Sequence, residues 1–275
     1  MAFYDAGDAA IFYEITGRGK PLILLHGYAL NSLMWAFQLP TLAEKYQAIT
    51  IDLRGFGQSS CGKSWSGNVM AKDIAGLIEY LDLKDCVILG FSLSGPVAFR
   101  LAYNFPDRIS RLAMVSSILP SAGKPREATQ GLAQKRELDL LTIHGVDGWA
   151  EKVGLRSGPL VANMFTRNPE AKELWEKMLN RHNPDFLRCM MTARTGTQPS
   201  ENWRDKLPDI NQPTLIIAGA QDDRFLDASR YLQRHIPKAR LEIINGAGHM
   251  VNLEKPNEFS RILLEFLEGT IDPPE

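Results

Sequence analysis

Val87-Ile88-Leu89-Gly90-Phe91-Ser92-Leu93-Ser94-Gly95 decides the fold of this chain. An apolar run ends in Gly-x-Ser-x-Ser-Gly and passes at once into Pro96-Val97-Ala98-Phe99-Arg100-Leu101-Ala102, which reads as a helix. A buried strand that turns sharply into a helix lifts a serine at its apex clear of the sheet and aims its oxygen at a helix N-terminus. There the first backbone N–H groups have no intrahelical partner and can stabilise a negative oxygen. So tight a turn needs small flanking residues. Ser94 stands where a second glycine is usual, but serine is the next smallest side chain and Gly95 follows, so the turn is retained. Serine is also a common helix N-cap. What separates a nucleophile from a cap is a base and an orienting acid elsewhere in the chain.

Both lie downstream. Pro213-Thr214-Leu215-Ile216-Ile217-Ala218-Gly219 reads as another buried strand and runs into Ala220-Gln221-Asp222-Asp223. Arg240-Leu241-Glu242-Ile243-Ile244 reads as a strand leading to Asn245-Gly246-Ala247-Gly248-His249-Met250. Ser92, Asp222 and His249 thus each follow a strand, and in a parallel sheet such loops share one edge. Of the two adjacent aspartates, Gly219-x-x-Asp222 spacing selects Asp222 as the acid. Asp223 is expected to cap the next turn or to pair with Arg224 at the surface.

These motifs resemble the α/β-hydrolase family over almost the whole chain, with only about Leu119 to Lys206 matching poorly. Leu22-Ile23-Leu24-Leu25-His26-Gly27-Tyr28 looks like that family's oxyanion strand and loop, and Asp52-Leu53-Arg54-Gly55-Phe56-Gly57-Gln58-Ser59 looks like its Asp-x-Arg-Gly-x-Gly-x-Ser loop. Within the family the chain looks most like small bacterial esterases, enol-lactonases and cofactor-free haloperoxidase or perhydrolase enzymes. The resemblance implies a serine hydrolase that cleaves a carboxylic ester or lactone through an acyl-serine, with Ser92, Asp222 and His249 as the triad. It also implies an oxyanion hole formed by the backbone N–H groups of Tyr28 and Leu93, and a brace rather than a base at His26. Perhydrolysis and carbon–carbon bond hydrolysis use the same machinery and stay open. A low-turnover ligand receptor on the same fold is the alternative from another class.

Length and composition agree. At 275 residues the chain fits one α/β domain with an insertion, and a net charge of −1 gives no reason to expect nucleic acid or an acidic membrane as partner. The N-terminal residues lack a secretion signal, and no segment approaches the roughly 20 apolar residues of a membrane span. Three widely spaced cysteines, Cys61, Cys86 and Cys189, fit a reducing cytosol and form no metal motif. A cytoplasmic protein with no cofactor and no metal is therefore expected, acting on a small molecule. Its oligomeric state is not legible.

Along the chain, strand patterns at Phe3-Tyr4 and Ala10 to Ile15 lead into strands at Leu22, Ala48, Cys86 and Arg111, separated by helical patterns at Met34 to Lys45, Asn68 to Leu81 and Leu93 to Asn104. That alternation predicts an α/β fold, a mostly parallel sheet with helices on both faces. Residues 1–118 and 207–275 are assigned to this core. Residues 119–206 read as helices, at Ala128 to Leu141, Val146 to Val153, Pro159 to Phe165, Glu170 to Asn180 and Asp185 to Ala193, and are expected to form an inserted cap. Its methionines and tryptophans stand at helical spacing, a pattern commoner in cores than in pockets. Phe91, Met250 and the Tyr28 side chain are expected to wall the substrate pocket, which favours uncharged acyl groups unless Arg188 or Arg194 turns inward. Asp52 and Arg54 are expected to bond within their Gly-rich loop. His144, His182 and His235 are expected to be solvated or capping, Cys86 inert, and Glu254 and Lys255 exposed at the start of the last helix.

Overall fold

A computed structural model describes residues 2–119, 128–194 and 202–271. Eight strands form one sheet: β1 Ala2–Asp5, β2 Ala10–Thr16, β3 Lys20–Leu25, β4 Tyr46–Ile51, β5 Cys86–Phe91, β6 Ile109–Val115, β7 Thr214–Gly219 and β8 Ala239–Ile244. Their order is β1-β2-β4-β3-β5-β6-β7-β8. β2 runs antiparallel to β1 and β4, and every other neighbouring pair is parallel. All six residues of β5 and all six of β7 are buried. Successive side chains point to opposite faces, so both faces of the central sheet are covered, and the strands read as unbroken apolar runs.

The chain leaves β3 to one side, toward β4, and returns on the other side as β5. At such a reversal the loops after the two central strands diverge and leave a crevice at the carboxyl edge of the sheet. Those two loops carry Tyr28 and Ser92. The loops after β7 and β8, which are parallel to β5, open on the same edge and carry Asp222 and His249.

Between β6 and β7 the described residues are helical, at Ala128–Lys152, Pro159–Arg167, Ala171–Asn180 and Pro184–Arg194, followed by a 3-10 stretch at Trp203–Asp209. The first is two helices across a kink at Gly145, whose φ of +66° only glycine adopts at little cost. In the third, Ala171, Trp175, Met178 and Leu179 are buried, the i, i+4, i+7, i+8 stripe of an amphipathic helix. Trp149, Met164, Met190 and Met191 are buried as well, so these side chains serve as core. Asn31, just after β3, donates to the Met178 carbonyl at 2.7 Å, which ties the third of these helices to the loop after β3.

One expected helix breaks in two. In place of a helix from Met34 to Lys45 there is a 3-10 turn at Ser32–Trp35 and a separate turn at Leu39–Leu42. Pro40 has no N–H to continue the first turn and its ring would strike the carbonyl of a preceding one, so the helix restarts with proline in its first turn. Buried Gln38 lies at the break and donates to the Asn252 carbonyl at 3.0 Å.

Candidate active site

The turn after β5 is held by close contacts that its sequence foreshadows. A Cβ at Gly90 would lie 2.4 Å from the Ser94 carbonyl oxygen, and one at Gly95 would lie 1.9 Å from Ser117 Oγ. Only glycine allows strand, turn and helix to approach this closely. Ser94, in place of the usual glycine, is fully buried and works as a tie: its Oγ accepts from the Phe91 N–H at 2.9 Å and stands 2.9 Å from the Leu25 carbonyl, to which it can donate. Ser117 donates to the Ser92 carbonyl at 2.8 Å. These ties hold Ser92 at a φ of +51°, in the left-handed region that costs a non-glycine residue about 1 kcal/mol or more.

Ser92 Oγ lies 3.0 Å from His249 Nε2, and His249 Nδ1 lies 2.7 Å from Asp222 Oδ2. Asp222 is an acceptor only, so Nδ1 carries the proton and Nε2 is left to accept from the serine hydroxyl. Asp222 is buried, whereas Asp223 is exposed and opens the helix Asp223–His235. The acid and histidine loops are locked together: the Gln221 N–H donates to the Ala247 carbonyl at 2.9 Å, and a Cβ at Gly219 would lie 2.2 Å from the Gly248 carbonyl oxygen. The imidazole is flanked by Phe225 at 4.5 Å and Phe91 at 5.3 Å between ring centroids. Phe225 had no motif to announce it. Met250 and Phe91 are buried beside the histidine.

Around the β3 loop, His26 is buried and its Nδ1–H donates to the Gly27 carbonyl at 2.7 Å while Nε2 accepts from the Leu53 N–H at 2.8 Å. It braces the loop, and burial holds its pKa below the ordinary histidine value. Asp52 accepts from the N–H groups of Ser32 and Gln58, at 2.7 and 2.9 Å. Arg54 does not bond within its own loop as expected: it is buried in a two-point ion pair with Asp73, at 2.6 and 2.7 Å, and also meets Asp8. Neither side chain is available to clamp a substrate. The Tyr28 hydroxyl donates to Glu137 Oε2 at 2.6 Å, which sets a carboxylate beside the expected pocket. Arg188 is paired with Asp185 at 2.6 Å on the surface, and the Arg194 side chain lies outside the described residues.

Two further expectations fail. His182 is buried, not solvated: its Nδ1 accepts from the Gly57 N–H at 2.9 Å and its Nε2–H donates to the Ala29 carbonyl at 3.1 Å, with desolvation lowering its pKa to about 4. No spacing betrays it, because both partners are backbone groups more than 100 residues away. Glu254 is likewise buried, not exposed at a helix start. Its two oxygens accept from the N–H groups of Gly248 at 2.9 Å and Met250 at 3.0 Å, and it pairs with Arg167. Cys189 donates its thiol to the carbonyl of Gly62, 127 residues away in sequence, at 3.3 Å. Burial pushes the Cys86 thiol up to about 11, which leaves it inert at neutral pH.

A family model described as the alpha/beta hydrolase fold matches residues 20–256, and the chain belongs to that family of hydrolases. It is 29% identical to a putative non-heme chloroperoxidase of Synechocystis, over 94% of this chain and 95% of that one. It is 26% identical to a putative 2-succinyl-6-hydroxy-2,4-cyclohexadiene-1-carboxylate synthase of Bacillus subtilis, over 96% of each. Among solved structures, a thermophilic esterase from Thermogutta terrifontis with malate bound superposes with a TM-score of 0.81 at 27% identity, covering 97% of this chain and 96% of that one. Among the described residues no helix is long and apolar enough to cross a membrane.

Proposed function

We propose that this protein is a serine hydrolase that cleaves carboxylic esters or lactones through an acyl-serine intermediate. The observation that carries this is the unbroken hydrogen-bonded line from Asp222 through His249 to Ser92. His249 Nε2 takes the proton of Ser92 as Oγ attacks the acyl carbon. The N–H groups of Leu93 and Tyr28 receive the developing oxyanion at the crevice between β3 and β5. His249 then protonates the leaving alcohol, and water activated by the same nitrogen releases the acid and restores Ser92. Asp222 holds the tautomer and stabilises the imidazolium. Nothing in this cycle calls for a cofactor.

Residues 119–206 serve as a cap over the site, with the main domain in 1–118 and 207–275. Neutral acyl groups are preferred, because the charge set beside Tyr28 is the carboxylate of Glu137, while Arg54, Arg167 and Arg188 are each paired with a carboxylate. The test is a hydrolysis screen of simple esters and lactones of graded length with Ser92→Ala as control. Loss of a triad serine removes about a million-fold of turnover. A folded S92A protein that keeps a tenth of wild-type activity would overturn the assignment.

A further inference from the structure

The loop that carries His249 is gripped from outside the site. Glu254 spans it, taking the N–H immediately before the histidine with one oxygen and the N–H immediately after with the other. A carboxylate accepting two backbone N–H bonds inside the protein is a rigid clamp, but only if its charge is matched, since an unpaired buried charge is strongly destabilising. The matching cation is not from the main domain. It is Arg167, the last residue of the helix Pro159–Arg167 in the helical segment, whose guanidinium bonds Glu254 with one nitrogen and Gln221 Oε1 with another. Gln221 directly precedes Asp222, so a single planar fork touches both the loop of the acid and the clamp on the loop of the histidine. The neighbouring Asn168 donates to the Leu253 carbonyl at 2.6 Å and fastens the same seam.

We propose that Arg167 and Glu254 are positioning residues for His249, through which the helical segment sets the alignment of the imidazole between Asp222 and Ser92. The proposal rests on the serine-hydrolase function above. Its physical basis is that proton transfer is steep in geometry: a misplacement of about 1 Å from a distant change costs about 100-fold in rate. Arg167 has its donors committed to Glu254 and Gln221, so its loss acts on turnover and not on substrate binding. A lysine retains the charge beside Glu254 but lacks the two-pronged fork.

The experiment compares wild type, R167M, R167K and E254Q in full-length protein, using p-nitrophenyl butyrate and, for each variant, the low-field proton resonance of His249 Nδ1. R167M is expected to lower kcat about 100-fold with KM nearly unchanged, and to weaken or broaden that resonance. R167K recovers only part of the loss, because it keeps the charge beside Glu254 without the second prong to Gln221. The R167M/E254Q double variant is no slower than E254Q alone, because both changes break one device. Wild-type kcat in folded R167M, or a raised KM at unchanged kcat, would overturn the proposal. So would an unaltered Nδ1 resonance, which would reduce Arg167 to a surface tie. Should R167M not fold, R167Q, which keeps a hydrogen-bonding head without charge, gives the same ratio, and wild-type kcat there is equally fatal. S92A separates the two levels: an active S92A removes the serine mechanism itself, whereas an inactive S92A beside an unaffected R167M removes only the positioning role.

Discussion

Acid should weaken this protein through His182, and the size of the effect follows from its surroundings. The ring is buried between the Gly57 N–H, which it accepts from, and the Ala29 carbonyl, which it donates to. A second proton at Nδ1 would remove the acceptor that Gly57 needs and place a charge where desolvation is nearly complete. The folded pKa is therefore about 4, against about 6.5 in the unfolded chain. Lowered folded affinity means the unfolded state binds more protons between these values, so stability is intact above about pH 6.5 and is lost as pH falls toward about 4. At about 1.4 kcal/mol per pH unit this amounts to about 3 kcal/mol over the window. The perturbation is His182→Gln, whose amide offers one donor and one acceptor and does not titrate. Its own cost, about 1 kcal/mol for an imperfect hydrogen bond, is independent of pH. Urea unfolding followed by tryptophan fluorescence at a series of pH values gives stability for both proteins. Wild type should lose about 3 kcal/mol relative to H182Q across the window. His26, shifted in the same direction, is present in both proteins and adds its own loss in acid to each. Parallel pH profiles for the two proteins would refute the neutral, buried state assigned to His182. The consequence reaches the site, because Ala29 follows Tyr28 in the loop proposed to bind the oxyanion.

Three further substitutions test the chemistry. Asp222→Asn should lower kcat by about 10,000-fold, the cost of losing the productive histidine tautomer, while Asp223→Asn, on the exposed first turn of its helix, should stay within about tenfold. A larger loss at Asp223 would move the acid by one residue. Glu137→Gln should raise kcat/KM for a carboxylate-bearing lactone at least about fivefold relative to a matched neutral one, since a like charge nearby costs about 1–4 kcal/mol. An unchanged ratio would show that the Glu137 carboxylate does not face the substrate.

What the sequence determined by itself was local and repetitive. Apolar runs bounded by turns marked the strands, since a strand buried on both faces is nearly apolar throughout, as β5 is and as β7 is after Thr214. Gly90 and Gly95 marked the sharp turn because nothing larger fits there. Ser92, Asp222 and His249 were legible because each sits one short loop after such a strand, and the parallel order of β5 to β8 then brings them to one edge. Tertiary structure alone decided the rest. Glu254 looked like a surface residue at a helix start, and became a buried clamp only when Arg167, 87 residues earlier, came to neutralise it. His182 found its partners in two loops that its own neighbours in sequence do not predict. Phe225 gained its place against His249 from the path of a helix, and the Cys189 thiol found its acceptor in the carbonyl of Gly62, 127 residues away. For the polar and charged side chains among these the physical reason is common. A buried polar or charged side chain is tolerated only with its partner, and a partner supplied by backbone groups or by a residue far along the chain leaves no periodicity to read.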